Sequence, residues 1–192
     1  MKKRVLTITL IWGCTLHLFA AVVQFDLKDD ASLYQYLDDQ SSATITNSGI
    51  IVTLTASEGV LNRTTSGFGV NDSGTDDTDA LNQGQYIDLV FDQDVTFSNL
   101  NVSSWGTSDA GEVQLGASFS SQGAIQGTGD TPYNFQVNAG NTVRIIATSD
   151  TSPTNGFSVD SFTVQTVPEP AVSGLISLCS IALLSIRRLF KI

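Results

Sequence analysis

Two cysteines and one histidine are all that the 192 residues contain, and nine basic residues stand against nineteen acidic ones. Cys14 and Cys179 fall in the hydrophobic segments at opposite ends of the chain. The region between them therefore has no disulfide and must be held by packing. His17 lies in the first of those segments, so its removal would exclude Ser-His and Cys-His catalytic pairs and histidine metal ligands from what remains. Scarcity of Lys and Arg, with a formal net charge of -10 and a pI near 4.2, excludes nucleic acid as a partner, because a phosphate backbone is bound by clustered cations. What the chain does have is 41% apolar and 8% aromatic residues, enough to bury a core.

Both ends read as targeting segments. Lys2, Lys3 and Arg4 precede an apolar stretch from Val5 to Leu18, and Ala20 and Ala21 follow, the pattern of a secretory signal peptide over residues 1–21. A bulky Leu18 or Phe19 three positions before the cut fits the processing rule poorly, which leaves an uncleaved N-terminal anchor as the other reading. At the far end, Val167-Pro168-Glu169-Pro170 precedes sixteen uncharged residues, 171–186, and then Arg187, Arg188 and Lys191. At ~1.5 Å per residue such a helix covers about 24 Å, so a ~30 Å hydrocarbon core is spanned only if Leu189 and Phe190 join it and the arginines snorkel. A transmembrane helix over 171–186 with a basic tail over 187–192 predicts a cytoplasmic C-terminus and an exported middle, 22–166. The two prolines around Glu169 bias that tripeptide to an extended form that cannot enter the helix, leaving it either a tag an enzyme can grip or a rigid spacer.

This order of Pro168-Glu169-Pro170, one short apolar helix and a terminal basic cluster resembles the PEP-CTERM sorting signal of Gram-negative bacteria. The likeness covers residues 167–192. It implies that an exosortase, a membrane-embedded transpeptidase-like enzyme, recognises Pro168, Glu169 and Pro170 and releases or transfers the exported part. The chain would be its substrate, transiently anchored in the membrane before reaching the cell surface or extracellular matrix. An association with exopolysaccharide is implied in the same way.

Between Val22 and Thr166 eighteen acidic residues face three basic ones, Lys28, Arg63 and Arg144, a net charge of -15. Apolar residues alternate with period two in short runs: Ile50, Val52, Leu54; Ile87, Leu89, Phe91; Val113, Leu115, Ala117, Phe119; Phe135, Val137; and Val143, Ile145, Ala147. Asp92-Gln93-Asp94 reads as a turn joining Ile87–Phe91 to Val95 and Phe97 in a hairpin. Phe157 and Val159 share one parity while Phe162 and Val164 share the other, which predicts a bulge at Asp160-Ser161. Short strands bounded by Gly, Asn, Asp, Ser and Pro predict an all-β domain, a sandwich or barrel. The spacing from Gly67-Phe68-Gly69-Val70 onward resembles the jelly-roll ectodomains of PEP-CTERM proteins, which are broadly similar to carbohydrate-binding modules.

Two groups of residues are candidates for binding. Asp72, Asp76, Asp77 and Asp79 around Gly74 could supply oxygen ligands to calcium; the other reading is a solvated acidic loop, since neither the EF-hand order nor its closing Glu is present. No other cofactor is expected. Trp105 and Tyr133 are candidate sugar-stacking aromatics, or else residues that close the ends of the domain, and Tyr34 and Tyr36 share that ambiguity. The reading that fits these features together is a non-catalytic surface or matrix protein. The alternatives are a hydrolase using two carboxylates and a subunit that self-assembles through sheet edges.

Overall fold

The computed structural model describes residues 20–28, 37–64, 67–71, 80–149 and 156–167. Residues 1–19 of the expected signal peptide, the motif Pro168-Glu169-Pro170, the expected transmembrane helix, the basic tail and the acidic loop lie outside them. The described strands belong to one compact unit, Ala21–Glu169. They are β1 (Val22–Asp26), β2 (Ser42–Asn47), β3 (Ile50–Ala56), β4 (Val60–Thr64), β5 (Gly67–Asn71) and β6 (Tyr86–Phe91), followed by β7 (Val95–Ser103), β8 (Ala110–Leu115), β9 (Ser120–Ala124), β10 (Gly129–Val137), β11 (Thr142–Ser149) and β12 (Ser158–Thr166). All pairings between them are antiparallel. One sheet runs β10-β7-β12-β5-β4 with β1 also paired to β12, and the other runs β2-β3-β6-β11-β8-β9.

The all-β expectation is met, and the period-two pattern shows why. In β6 Ile87, Leu89 and Phe91 are buried while Tyr86, Asp88 and Val90 are not, and β11 buries Val143, Ile145 and Ala147 in the same way. The inner residues of both sheets join one core, including Phe25, Phe97 and Phe162 from the first and Ile45, Leu54, Phe91 and Ile145 from the second. At its centre the Phe162 ring stacks on Phe25 at 4.8 Å and on Phe97 at 6.1 Å, and it meets Phe91 of the opposite sheet edge-on at 6.1 Å. Offset and edge-on contacts are the arrangements that the charge distribution of aromatic rings favours.

The bulge expected at Asp160-Ser161 is present. Pairing of β12 with β7 shifts between Val159 and Ser161, and Phe157, Val159, Phe162 and Val164 are all buried despite their opposite parities. The expected hairpin across Asp92-Gln93-Asp94 is not. β6 pairs with β3 and β11, β7 pairs with β10 and β12, and the connection carries the chain from one sheet to the other. Its two aspartates bond outward instead of closing a turn. Asp92 accepts the amide of Ile51 on β3, and Asp94 accepts that of Ala139 at 2.8 Å. Two strands with equally apolar inner faces fit a crossover as well as a hairpin, and period alone does not distinguish them. The alternating run from Val113 is also shorter than expected, because residues 116–119 form a turn and Ala117 is exposed.

Phe162→Ala removes a ring that touches both sheets. The expected loss is about 3–5 kcal/mol, measured by urea unfolding of the full chain. A loss below ~1 kcal/mol would mean that the core closes over the gap and that Phe162 is not its centre.

Candidate functional site

The strands β9 and β10 end their respective sheets on the same side of the molecule, and among the described residues each pairs with one neighbour only. Local sequence sets the shape of this edge. β10 carries Pro132, whose missing N–H suits a free edge, and its pairing with β7 slips between Pro132 and Phe135. The slip leaves Tyr133 and Asn134 out of the ladder, as a β-bulge does. Between the two edges lies an open cleft of ≈ 560 Å³. Gln122 and Gln126 line one side, Thr131, Tyr133, Asn134 and Phe135 the other, and none of its lining residues is charged.

Tyr133 forms the half-buried floor of this cleft. Its ring meets Phe97 edge-on at 5.9 Å and Phe135 edge-on at 6.0 Å, and Phe135 stacks on Phe97 at 5.3 Å. The hydroxyl reaches the Gly123 carbonyl in a long 3.5 Å contact. Burial first, and the nearby Glu112 carboxylate second, push the phenol up to about 12. It is therefore neutral throughout the ordinary pH range. Behind it, the buried Thr131 accepts the amide of Gln126 at 3.1 Å and fixes the loop between β9 and β10.

Trp105, the other expected aromatic, lies beside Gly127 of that loop and does not line the cleft. The Trp105 ring packs 5.0 Å from the buried Phe157 at a 33° tilt, and its turn is held by a 2.6 Å bond from the Gly106 amide to Asp109. Gly111 makes this packing possible, since a Cβ there would lie 2.7 Å from the Phe157 ring. A Cβ at Gly127 would touch Trp105 at 3.9 Å, whereas the preceding Gln126 lines the cleft. Both aromatics expected from the sequence are half-buried, so that each packs on the core and is partly exposed.

A second cluster was not anticipated. On the outer face of the other sheet the Arg144 guanidinium lies 3.4 Å from the Tyr86 ring centre and 3.6 Å from that of Phe119, and its fork bonds Asp88 at 2.8 and 2.9 Å. Phe119 takes φ 48°, in the left-handed region that a bulky side chain enters at a cost of about 1–3 kcal/mol. The two-ring stack and the paired hydrogen bonds offset that strain and pin the 116–119 turn to the sheet. Alternation does assign Tyr86, Asp88 and Arg144 to an outer face, but their convergence needs the strand register, which pairs Arg144 with Asp88.

Several other carboxylates among the described residues are held as well. Asp130 accepts Asn99 and Asn101 at 2.8 and 2.7 Å, and these amides hold its carboxyl below the ordinary range. Asp160 bonds Ser103 and Lys28, and Glu112 accepts Gln114 and Ser121. Among the described residues no group of three or more His, Cys, Asp or Glu is arranged to hold a metal ion. The calcium candidates Asp72, Asp76, Asp77 and Asp79 lie outside those residues, as do Pro168, Glu169, Pro170, Arg187, Arg188 and Lys191.

Two outcomes follow from this geometry. Arg144→Lys loses both the fork and the planar stack, with an expected destabilisation of about 1–3 kcal/mol in urea unfolding; an unchanged midpoint would show that the cluster carries no stability. Tyr133 ionises less readily in the folded state than the ~10 of a free phenol, so its contribution to stability is complete below pH ~10 and is lost as pH rises toward the folded value. Alkaline unfolding of Tyr133→Phe should therefore fall less steeply than that of the wild type across that window. Equal slopes would contradict the burial. No protein-family model matches the chain, and no curated protein matches it either.

Proposed function

We propose that this chain is an exported cell-surface or matrix protein of a Gram-negative bacterium. In this reading an exosortase sorts it through Pro168, Glu169 and Pro170, and its β-domain associates with exopolysaccharide without catalysing a reaction. The observation that carries the reading is the tripartite order of residues 167–192, in which the Pro-Glu-Pro string, the uncharged segment 171–186 and the cations Arg187, Arg188 and Lys191 follow one another. Residues 1–21 supply the export signal this order requires.

Features of the domain support the same reading. β1 begins at Val22, so processing at residue 20 or 21 leaves every strand whole. Ala21 and Thr166 exchange bonds of 2.8 and 2.9 Å, so the chain enters and leaves the domain at one point, next to both expected processing sites. From β5 onward the sheet orders β5-β12-β7-β10 and β6-β11-β8-β9 match the interleaving of two Greek keys, which favours a jelly roll. That fold hosts many carbohydrate binders, and the analogy lends weight to polysaccharide association without identifying a site. Asp88, Glu112, Asp130 and Asp160 each hold a structural hydrogen bond or ion pair within the domain.

Mass spectrometry of the mature protein from its native envelope tests the sorting. The expected product begins near Ala21 and lacks the residues from Ala171 onward. A mature chain that keeps Ile192 in cells with an active exosortase would overturn the proposal.

A further inference from the structure

The cleft between β9 and β10 has a composition at odds with the rest of the domain. The region 22–166 carries a net charge of -15, yet the residues lining this cleft are all uncharged. We infer that it binds a neutral sugar unit, with the Tyr133 ring against the sugar's C–H face and Gln126 and Asn134 meeting its hydroxyls.

The construction of the edges argues against the commonest alternative, an added peptide strand. Strand addition needs a row of free backbone N–H and C=O groups in register. β10 breaks that row with Pro132 and the slip that follows it, and β9 is a five-residue strand whose own pairing shifts between Val113 and Gln114. Recognition at this edge therefore falls to side chains. Those side chains are an aromatic ring, carboxamides and a proline, which together offer an apolar face flanked by donors and acceptors. A pyranose presents the complementary surface, with C–H groups on one face and hydroxyls around its rim.

Charge narrows the class further. A sulfated or uronic-acid polymer would find no cation in the cleft and would approach a strongly acidic domain, so its encounter is opposed at low salt. A basic peptide would be drawn to the domain, but Glu112, the carboxylate near Tyr133, does not line the cleft and already accepts Gln114 and Ser121. A neutral glycan is indifferent to both effects. The volume falls within the range of about 300–1,000 Å³ usual for small-molecule clefts, and its openness suits one unit of a longer chain rather than an enclosed metabolite. The floor is also preorganised. Tyr133 packs edge-on against the stacked rings of Phe97 and Phe135, and the loop carrying Gln126 is tied to Thr131, so little ordering cost accompanies binding.

This inference rests on the polysaccharide part of the proposed function and not on the sorting part. Its test is binding of the full-length chain in detergent to dextran, cello-oligosaccharides and galactan, with polygalacturonate and dextran sulfate as charged counterparts. The expected result is weak binding of at least one neutral glycan that is insensitive to salt, weakened about tenfold or more by Tyr133→Ala and clearly weakened by Asn134→Ala. Asn134 is exposed, so its variant reports on the cleft even if Tyr133→Ala fails to fold. Neutral-glycan binding that both variants keep would overturn the cleft while sparing the polysaccharide reading. Binding of the charged polymers alone, falling with salt, would also overturn it, and no binding to any member of the set would remove both.

Discussion

The domain depends on the packing of two apolar sheet faces around Phe162. No disulfide ties the sheets together, because the cysteines lie outside the domain, so burial must hold them. The aromatic contacts also give that packing a direction. A chain of rings runs from Phe25 through Phe162 and Phe97 to Tyr133 and Phe135, so the centre of the core and the floor of the β9–β10 cleft are one continuous structure. The cleft can be exposed and still be rigid because its aromatic floor is the outer end of the core.

Much of this was legible in the residue pattern. Alternation at Ile50–Leu54, Ile87–Phe91 and Val143–Ala147 identified strands and their buried faces, and the change of parity between Val159 and Phe162 located a bulge. These are local properties, written in period two. Connections between strands are not local, which is why Asp92-Gln93-Asp94 read as a hairpin turn when it joins the two sheets. Trp105 and Tyr133 were identifiable as scarce large side chains near Gly and Pro, but the cleft beside Tyr133 needed β9 and β10 to end their sheets on the same side. The Arg144 stack was invisible for a similar reason. Its members are separated by up to fifty-eight positions and meet only through the register of β6 with β11 and the turn that follows β8.

The three cations of the acidic domain have a common use. Arg144 clamps a turn to its sheet, Lys28 pairs with Asp160 at the bulge, and Arg63 donates to the carbonyls of Leu27 and Lys28. Each joins segments distant in sequence, and each is spent on backbone or on a single carboxylate. Among the described residues Asp38, Asp39, Glu58, Asp92, Asp94 and Asp130 are exposed, and the net negative charge discourages polyanions. An uncharged cleft stands out against that background.

Native-state hydrogen exchange measures the dependence on inter-sheet packing most directly. If the faces around Phe162 hold the domain as one unit, the core amides of Phe97 and Phe162 in one sheet and of Leu89 and Ile145 in the other exchange only through a shared global opening, with equal free energies. Two clearly separated values, one for each sheet, would contradict this account.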